Sequence, residues 1–422
     1  MNPGHSHPDH DPCAEGEGLL RLEEAQRRIV EAVGRPQQTE MIPLGRAAGR
    51  VLAATLTADV EVPPFDNSAM DGYALHASAL PATGESSLRQ VGTAWAGRPF
   101  QGQVGPGECV RIMTGAPMPA GTDTVIMQEQ VHVAGEQVII GVGHRPGENR
   151  RQAGESLAHG SEILAAGSRL TPAHLGLAAS AGVAEVSVYR RPRVAILSTG
   201  DELQSAGQPL GPGQIYDSNR CSLTAMLERL GIEVTDLGVI PDRLEATRDA
   251  LLEASQTAEV IISSGGVSVG DADFVVEVLR AEGQVGFWKV AIKPGKPLAF
   301  GRLGRAWFFG LPGNPVSSMV TFYQLVQPAL QRLCGVDPLP QPLLVNARLA
   351  APLRKQPGRL EFQRARLAPG RDGQLTVEAL GQQGSNVLRS MVEADCFIVL
   401  PLEQGHLEAG QWVQVQPFAG LV

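Results

Sequence analysis

Cysteine is scarce in this sequence, and the few cysteines stand far apart. The five of them (Cys13, Cys109, Cys221, Cys334 and Cys396) form no C-x-x-C pair. Zinc sites and disulfide frameworks are built from close pairs or from an even set of cysteines. The sequence therefore argues against both kinds of site and favours a reducing compartment.

Aromatic residues and long apolar runs are also scarce. Aromatics make up only 5% of the chain, whereas glycine (49) and proline (31) are plentiful, which is typical of loops and short strands rather than of a helical bundle. No apolar run approaches the roughly 20 residues that cross a bilayer, and no charged-then-apolar leader opens the chain. We therefore expect a cytoplasmic protein that has no membrane partner.

Positive charge is in deficit, with 35 lysines and arginines against 44 acidic residues and a net charge of −9. Such a protein gains no long-range attraction to nucleic acid, which we do not expect as a partner. An anionic ligand would need positive charge that is concentrated locally.

The length of 422 residues exceeds one ordinary core, so several domains are expected. The changes of pattern along the chain predict a polar tail (1–15), an N-terminal region (16–60 with 145–187), an inserted β domain (61–144), an α/β domain (188–335) and a C-terminal β domain (343–422). The predicted fold class is thus α/β and β, in several domains.

The region 188–335 alternates strands with helices. Buried-type strands such as VAILS, EVIISS and RAWFFG are separated by helices of 10 to 15 residues. This alternation predicts a doubly wound, mostly parallel sheet, whose ligand lies beyond the carboxyl ends of the strands.

The segment SSGGVSVGDAD (263–273) joins one such strand to a helix. Gly265, Gly266 and Gly270 allow backbone N–H groups to approach a ligand, and the helix start adds a positive dipole end. The alternative is an ordinary strand-to-helix turn.

The segment GLPGNPVSS (310–318) ends another strand of the same sheet. Asn314 suits an N-cap and Pro315 the first helical position, so a structural cap would explain both. Because both turns would lie at one rim of the sheet, a binding role is also indicated.

The segment KVAIKPGKPLAF (289–300) places Lys289, Lys293 and Lys296 close together. A solvated basic loop is the alternative. Beside two anion-receptive turns in an acidic protein, we favour a phosphate or oxyanion clamp.

Carboxylates also follow the strand ends, in STGDEL (Asp201, Glu202), at Asp242, and at Asp271 and Asp273. Several carboxylates would repel a phosphate unless a cation intervenes, and Mg²⁺ bridges carboxylates to phosphate oxygens. The pattern therefore predicts a magnesium site. The alternatives are a capping box of Asp242 with Glu245 and a helix cap at Asp273.

These motifs together resemble the molybdopterin molybdenumtransferases, which complete the biosynthesis of molybdenum cofactor. The resemblance covers most of the chain and runs through PPFDNSAMDGYA (63–74), RIMTGAPMPAGTDTVI (111–126), STGDEL (198–203), SSGGVSVGDADF (263–274), KVAIKPGKP (289–297) and GLPGNPVSS (310–318). The α/β motifs are shared with molybdopterin adenylyltransferases. The PFDNSAMDGYA segment and the flanking domains select the molybdate-inserting branch.

The resemblance implies a molybdopterin-binding α/β domain, a small β-barrel-like C-terminal domain and an elongated homodimer. It implies that adenylylated molybdopterin and molybdate are converted to molybdenum cofactor and AMP, with Mg²⁺ as cofactor. A molybdopterin adenylyltransferase and apo-molybdoenzymes would be transient partners. The sequence leaves two other readings open: an adenylyltransferase that consumes ATP, and a non-catalytic scaffold.

Site residues follow from the resemblance by position. Glu202, Asp242 and Asp273 would hold the metal and, with Asp66, would be catalytic. The residues that would bind substrate are Thr114, Gly265, Gly266, Ser268, Lys289, Lys293, Lys296, Pro312, Asn314, Pro315, Arg364 and Ser385. Asp66 and Thr114 would reach the site of the other subunit. The chain departs from the family at Ser156, where an acidic residue is usual; either that carboxylate is dispensable or Glu155 replaces it.

Overall fold

The chain is described here by a computed structural model that covers residues 18–266, 274–370 and 372–421. The predicted tail lies outside these ranges. The chain divides into two compact units: unit 2 is Met41–Val188, and unit 1 is the chain before and after it. Helix α1 (Leu22–Val33) falls in unit 1, although the sequence assigned it to the N-terminal region.

Unit 2 is mostly β structure. Its elements, with the strands that lead in and out, are β1 (Thr39–Pro43), β2 (Leu56–Thr57), β3 (Asn67–Ser68), β4 (Gly72–Leu75), β5 (Ser86–Ala94), β6 (Glu108–Ile112), β7 (Thr124–Met127), β8 (Val131–Ala134), β9 (Gln137–Ile140), β10 (Arg150–Arg151), β11 (Glu162–Leu164), α2 (Pro172–Ser180) and β12 (Glu185–Tyr189). A six-stranded sheet runs β7-β4-β6-β5-β9-β8, and β1 pairs with β12. The chain therefore enters and leaves unit 2 through two paired strands.

The α/β domain of unit 1 follows. Its elements are β13 (Arg193–Thr199), β14 (Leu203–Gln204), β15 (Ile215–Tyr216), α3 (Ser218–Arg229), β16 (Glu233–Ile240), α4 (Leu244–Thr257), β17 (Val260–Ser264), α5 (Phe274–Glu282), β18 (Gly283–Lys289), β19 (Ile292–Lys293), β20 (Pro297–Leu303), β21 (Ala306–Leu311), α6 (Pro315–Thr321), a π-helical turn (Phe322–Val326) and α7 (Gln327–Leu333).

The sheet of this domain has the order β16-β13-β17-β21-β20-β18. The first four strands are parallel, because each is followed by a helix that returns the chain to the start of the sheet. Strands β17 and β21 are buried along their whole length, as expected for strands that are covered on both faces. Helices α3 and α6 lie on one face, and α4 and α5 lie on the other. The predicted doubly wound, mostly parallel sheet is confirmed.

The helix that closes this domain is interrupted. The sequence predicts one helix over 315–333, but α6 and α7 are separated by the π-helical turn. Pro328 has no N–H to donate to the carbonyl of Gln324, four residues earlier. The Nε2 of Gln26, on α1, donates to that carbonyl instead, at 2.8 Å.

The C-terminal elements are β22 (Val345–Leu349), β23 (Leu360–Pro369), β24 (Leu375–Ala379), α8 (Arg389–Glu393), β25 (Cys396–Leu400) and β26 (Trp412–Pro417). The order β23-β24-β22-β26-β25 closes on itself through the pairing of β23 with β25, which gives a five-stranded barrel. The predicted barrel-like domain is confirmed. Strand β19 adds to its edge, with Lys293 opposite Glu361.

Among the described residues, no helix is both long enough and apolar enough to span a bilayer.

Candidate active site

The topology gathers the predicted central residues at one edge of the sheet. Glu202 follows the carboxyl end of β13, Asp242 that of β16, Gly265 that of β17 and Pro312 that of β21. Strand β20 is antiparallel to β21 and begins just after Lys296, while β18 reverses again. Both ends of the lysine segment therefore lie at this same edge.

Two of the predicted carboxylates share a pocket of about 170 Å³ at this edge. The pocket, called here the acidic pocket, is lined by Thr199, Gly200, Glu202, Asp242, Thr247, Gly266, Phe274 and Val275. Asp273 and Ser268, which the sequence also assigned to the site, lie outside the described residues.

Asp242 is not the helix cap that its spacing to Glu245 suggested. Helix α4 begins after Arg243, which makes no side-chain cap hydrogen bond. Asp242 instead exchanges hydrogen bonds with Asp201, whose N–H donates to Asp242 Oδ2 (3.4 Å) and whose Oδ1 accepts from the Asp242 N–H (3.2 Å). The capping interpretation was wrong because Arg243 intervenes between Asp242 and the helix.

The electrostatics of the acidic pocket favour a cation. Desolvation raises the pKa of Asp242 above its ordinary value; the Asp201 N–H lowers it, and the negative charges of Asp201 and Glu202 raise it further. Within the described ranges, no cluster of three or more His, Cys, Asp or Glu side chains is placed to share one metal ion. Glu202 and Asp242 thus supply two carboxylates, which is the number that Mg²⁺ commonly takes from a protein alongside water and phosphate oxygens.

The glycine turn beside this pocket requires glycine. Gly265 and Gly266 have φ values of +90° and +67°. A Cβ atom on Gly266 would lie 2.6 Å from Val275 Cγ2 and 2.9 Å from Thr199 Oγ1. The backbone of this turn therefore packs so closely that no side chain fits at Gly266. Glycine at such a turn also lets backbone N–H groups approach a bound phosphate closely.

Asn219, at the start of α3, joins the two predicted turns. Its Nδ2 donates to Ser264 Oγ (2.9 Å) and to the Gly313 carbonyl (2.7 Å). Sequence reasoning missed this residue because both partners lie 45 or more positions away.

The lysine segment holds three of the four lysines in the whole sequence. Lys289, Lys293 and Lys296 are all exposed, and the Val290 N–H closes the segment on the Lys296 carbonyl at 2.7 Å. Lys293 Nζ lies 3.0 Å from Glu361 Oε1. Glu361, which the sequence did not indicate, is 5% exposed.

Arg364 acts as a buried anchor. It is 1% exposed, and its guanidinium donates to Ser390 Oγ and to the Gly384 carbonyl, each at 3.0 Å. Burial lowers its pKa to about 10. The next carbonyl, that of Ser385, accepts the Val316 N–H of α6 at 3.0 Å. Arg364 thus holds the residue before Ser385, and Ser385 in turn is bonded to the start of α6.

The GLPGNPVSS segment places Pro315 at the start of α6, as predicted. Asn314 occupies the N-cap position with extended backbone, but its side chain makes no capping hydrogen bond. Its backbone carbonyl accepts the Ser318 N–H at 2.9 Å. The predicted N-cap position of Asn314 is therefore confirmed, although its side chain does not supply a hydrogen bond to the helix.

Asp66 and Thr114 lie in unit 2. Asp66 accepts the Ala153 N–H (2.9 Å) and is paired with Arg150 Nε (3.1 Å). The N–H and hydroxyl of Thr114 both donate to Asp71 Oδ1, at 2.7 and 2.8 Å, which lowers the pKa of Asp71. Backbone hydrogen bonds join the two segments that carry these residues, so unit 2 presents them together. Sequence reasoning missed Asp71 as the partner of Thr114.

Comparisons with known proteins agree along most of the chain. Three family models match: "MoeA N-terminal region (domain I and II)" over residues 20–182, "Probable molybdopterin binding domain" over 195–332 and "MoeA C-terminal region (domain IV)" over 346–418. A curated molybdopterin molybdenumtransferase from Haemophilus influenzae is 46% identical over 405 residues, which cover 96% of this chain and 100% of that one. The chain belongs to the molybdopterin molybdenumtransferase family.

Other members of the family show the same extent of likeness. A molybdopterin molybdenumtransferase from a Nostoc species is 36% identical over 92% of this chain and 90% of that one. The crystal structure of a molybdopterin biosynthesis moeA protein from Pyrococcus horikoshii matches with a TM-score of 0.81 and 26% identity, covering 95% of this chain and all of that one. The acidic pocket and the lysine segment both fall in the region matched by the molybdopterin-binding family model.

Proposed function

We propose that this chain inserts molybdate into adenylylated molybdopterin, with Mg²⁺-dependent cleavage of the phosphoanhydride and release of AMP. The observation that carries the proposal is the juxtaposition of the acidic pocket with the lysine segment at one edge of the central sheet. A cation site and an anion site side by side suit a substrate whose phosphates are bound by both.

The cleavage adds one water across the P–O–P bond, so that one phosphate leaves as AMP and the other stays on the pterin product. Negative charge develops on the leaving oxygen, and preorganised positive charge lowers this barrier. Lys289, Lys293 and Lys296 supply such charge, and Gly265 and Gly266 bring backbone N–H groups close to a phosphate. Glu202 and Asp242 would hold Mg²⁺, which when bound supplies further charge neutralisation.

Molybdate is a dianion, and Lys293 is the exposed cation that we assign to it, with Ser385 beside the start of α6. Arg364 positions the Ser385 loop from beneath, since its guanidinium is buried and engaged. The two dithiolene sulfurs that bind molybdenum would come from the pterin, and the two molybdate oxygens that they displace would leave as water with the thiol protons and protons from solvent. Burial raises the pKa of Cys109 and of Cys396 to about 12, which keeps both as thiols.

The test is AMP release from adenylylated molybdopterin with Mg²⁺, with and without molybdate, together with reconstitution of a cofactor-free molybdoenzyme. Molybdate-dependent AMP release with reconstitution supports the proposal. Consumption of ATP to form the adenylylated pterin would instead assign the preceding reaction, and failure to bind any molybdopterin species would favour a scaffold.

We also propose a cytoplasmic homodimer in which Asp66 and Thr114 complete the site of the partner subunit. A mixing experiment tests this arrangement. Asp66→Asn in unit 2 and Asp242→Asn in the acidic pocket would each inactivate a homodimer, whereas a mixed dimer keeps one intact site out of two. Because about half of randomly mixed dimers are hybrids, about a quarter of the wild-type activity should return. No recovery after verified subunit exchange would contradict a shared site.

A further inference from the structure

The floor of the acidic pocket contains a threonine that no motif indicated. Thr247 lies in the first turns of α4 and is 1% exposed. Its Oγ1 is buried and has no hydrogen-bond partner among the residues that the structure describes. Thr247 lines the pocket together with Glu202 and Asp242.

A threonine in a helix ordinarily satisfies its hydroxyl on the carbonyl four residues earlier. For Thr247 this is the carbonyl of Arg243, which accepts the Thr247 backbone N–H at 3.0 Å. The hydroxyl makes no bond to it. A buried polar group without a partner requires an explanation, and its position in a pocket points to a ligand.

The charges of the pocket decide which ligand. Glu202 and Asp242 would repel a bare phosphate and attract a cation. A hydroxyl oxygen is a hard, neutral donor of the kind that serine and threonine provide to Mg²⁺ in nucleotide-binding sites. Its proton then remains available for a hydrogen bond to a carboxylate.

We propose that Thr247 Oγ1 is a neutral oxygen ligand to a divalent cation held by Glu202 and Asp242. This inference rests on the proposed function, since it adds a ligand to the cation site of that reaction. The cation would be the partner of the buried Thr247 hydroxyl, and α4 would then contribute a ligand to the site.

The experiment measures Mn²⁺ binding to the full-length chain after chelation, by electron paramagnetic resonance or calorimetry, without substrate. Thr247→Val keeps the shape and removes the oxygen, and we expect it to weaken Mn²⁺ about tenfold or more. Thr247→Ser keeps the oxygen and should stay within about threefold of wild type. Thr224→Val is the matched control, because Thr224 Oγ1 is also buried and without a partner in the described part of the chain, but Thr224 lies in α3, outside this pocket.

Each outcome bears on one hypothesis. Thr247→Val should fold like the wild type, because it loses only an unsatisfied hydroxyl. Its melting temperature is measured alongside, so that unfolding can be separated from a loss of Mn²⁺ binding. If Thr247→Val binds Mn²⁺ with wild-type affinity while Glu202→Gln and Asp242→Asn lose binding, the cation site stands but Thr247 is not one of its ligands. Unchanged binding in all three variants would overturn both this inference and the cation site of the proposed function.

Discussion

Lys293 is a single residue that joins two domains of unit 1. Its backbone lies in β19, which pairs with β23 of the barrel, and its ammonium meets the buried carboxylate of Glu361. Gln363 Nε2 donates to the same Glu361 oxygen at 3.0 Å, so the carboxylate is fixed. Half of the Lys293 side chain remains exposed, and the ammonium can still meet an anion.

Lys293→Ala is therefore expected to weaken the response to molybdate more than the binding of nucleotide. Loss of one charge-assisted hydrogen bond corresponds to about 1.5–3 kcal/mol, or a rise of about tenfold or more in the KM for molybdate. Steady-state AMP release measures this value, and AMP binding by calorimetry gives the comparison. Lys293→Arg, which keeps the charge, should recover part of the effect; an unchanged molybdate dependence in Lys293→Ala would remove Lys293 from the oxyanion site.

The acidic pocket should make the metal-free protein less stable than it would otherwise be. Because the pKa of Asp242 is raised in the folded chain, its ionisation opposes folding at neutral pH, and this effect disappears below about pH 4, where the unfolded chain is protonated too. Asp242→Asn should thus stabilise the chelated protein at pH 7, by about 0.5 kcal/mol or less since the carboxylate is exposed to solvent screening.

Thermal unfolding in EDTA between pH 4 and 8 measures this difference. The control is Asp249→Asn, an exposed carboxylate farther along α4 and outside the pocket. The gain should shrink as the pH falls and should reverse when Mg²⁺ is added, because the variant lacks the metal ligand. A gain that is equal at pH 4 and pH 8 would contradict an ionisation effect.

At the scale of residues, sequence patterns predicted which residues lie at one edge of the central sheet, but they missed the residues that hydrogen-bond to them or line the pocket beside them. The turns at Gly265 and Pro312 and the lysines were predictable, because glycine, proline and charge at strand ends have direct local meaning. Asn219, Thr247 and Glu361 were missed, because their partners are distant in the chain and only the fold brings them together. At Asp242 the sequence suggested a contact that does not form. The spacing of Asp242 to Glu245 is that of a capping box, but Asp242 bonds to Asp201 instead of capping α4.

At the scale of elements, the strand and helix order was predictable, since β17 and β21 are short, mostly apolar runs and each of them is followed by a helical pattern. The interruption between α6 and α7 was not. Pro328 alone signals a break, but the residue that stabilises it, Gln26, lies on α1, about 300 residues earlier in the chain. The barrel closure through β23 and β25 likewise depends on distant pairing.

A double-mutant cycle tests how the π-helical turn between α6 and α7 is stabilised. Gln26→Leu leaves the Gln324 carbonyl without its side-chain donor and should lower the free energy of unfolding by about 1 kcal/mol. Pro328→Ala supplies a backbone N–H to that carbonyl, so Gln26→Leu should have a much smaller effect in the Pro328→Ala background. Urea unfolding of the four proteins measures the coupling, and strictly additive effects would show that the two donors do not share this acceptor.

At the scale of the whole molecule, unit 2 is an insertion into unit 1. The chain leaves unit 1 after Glu40 and returns at Tyr189 through β1 and β12, which pair. The residues of the acidic pocket all belong to unit 1.

We therefore expect unit 1 to fold when residues 41–188 are replaced by a short Gly–Ser linker. Circular dichroism should show cooperative thermal unfolding, and Mn²⁺ affinity should remain within a few-fold of that of the full chain. AMP release should be lost, because Asp66 and Thr114 are deleted. A shortened chain that unfolds without cooperativity would show that unit 1 depends on unit 2 for its stability.

Helix α1 packs on α7 and on the π-helical turn, although about 300 residues separate them in the chain. During synthesis at about 5–20 residues per second, α1 leaves the ribosome about 15–60 seconds before its packing partner is made. Throughout that interval its apolar face, with Ala25 and Ile29, stays without the surface that it covers in the finished protein. The order of translation thus makes α1, the first helix within the described residues, one of the last elements to dock.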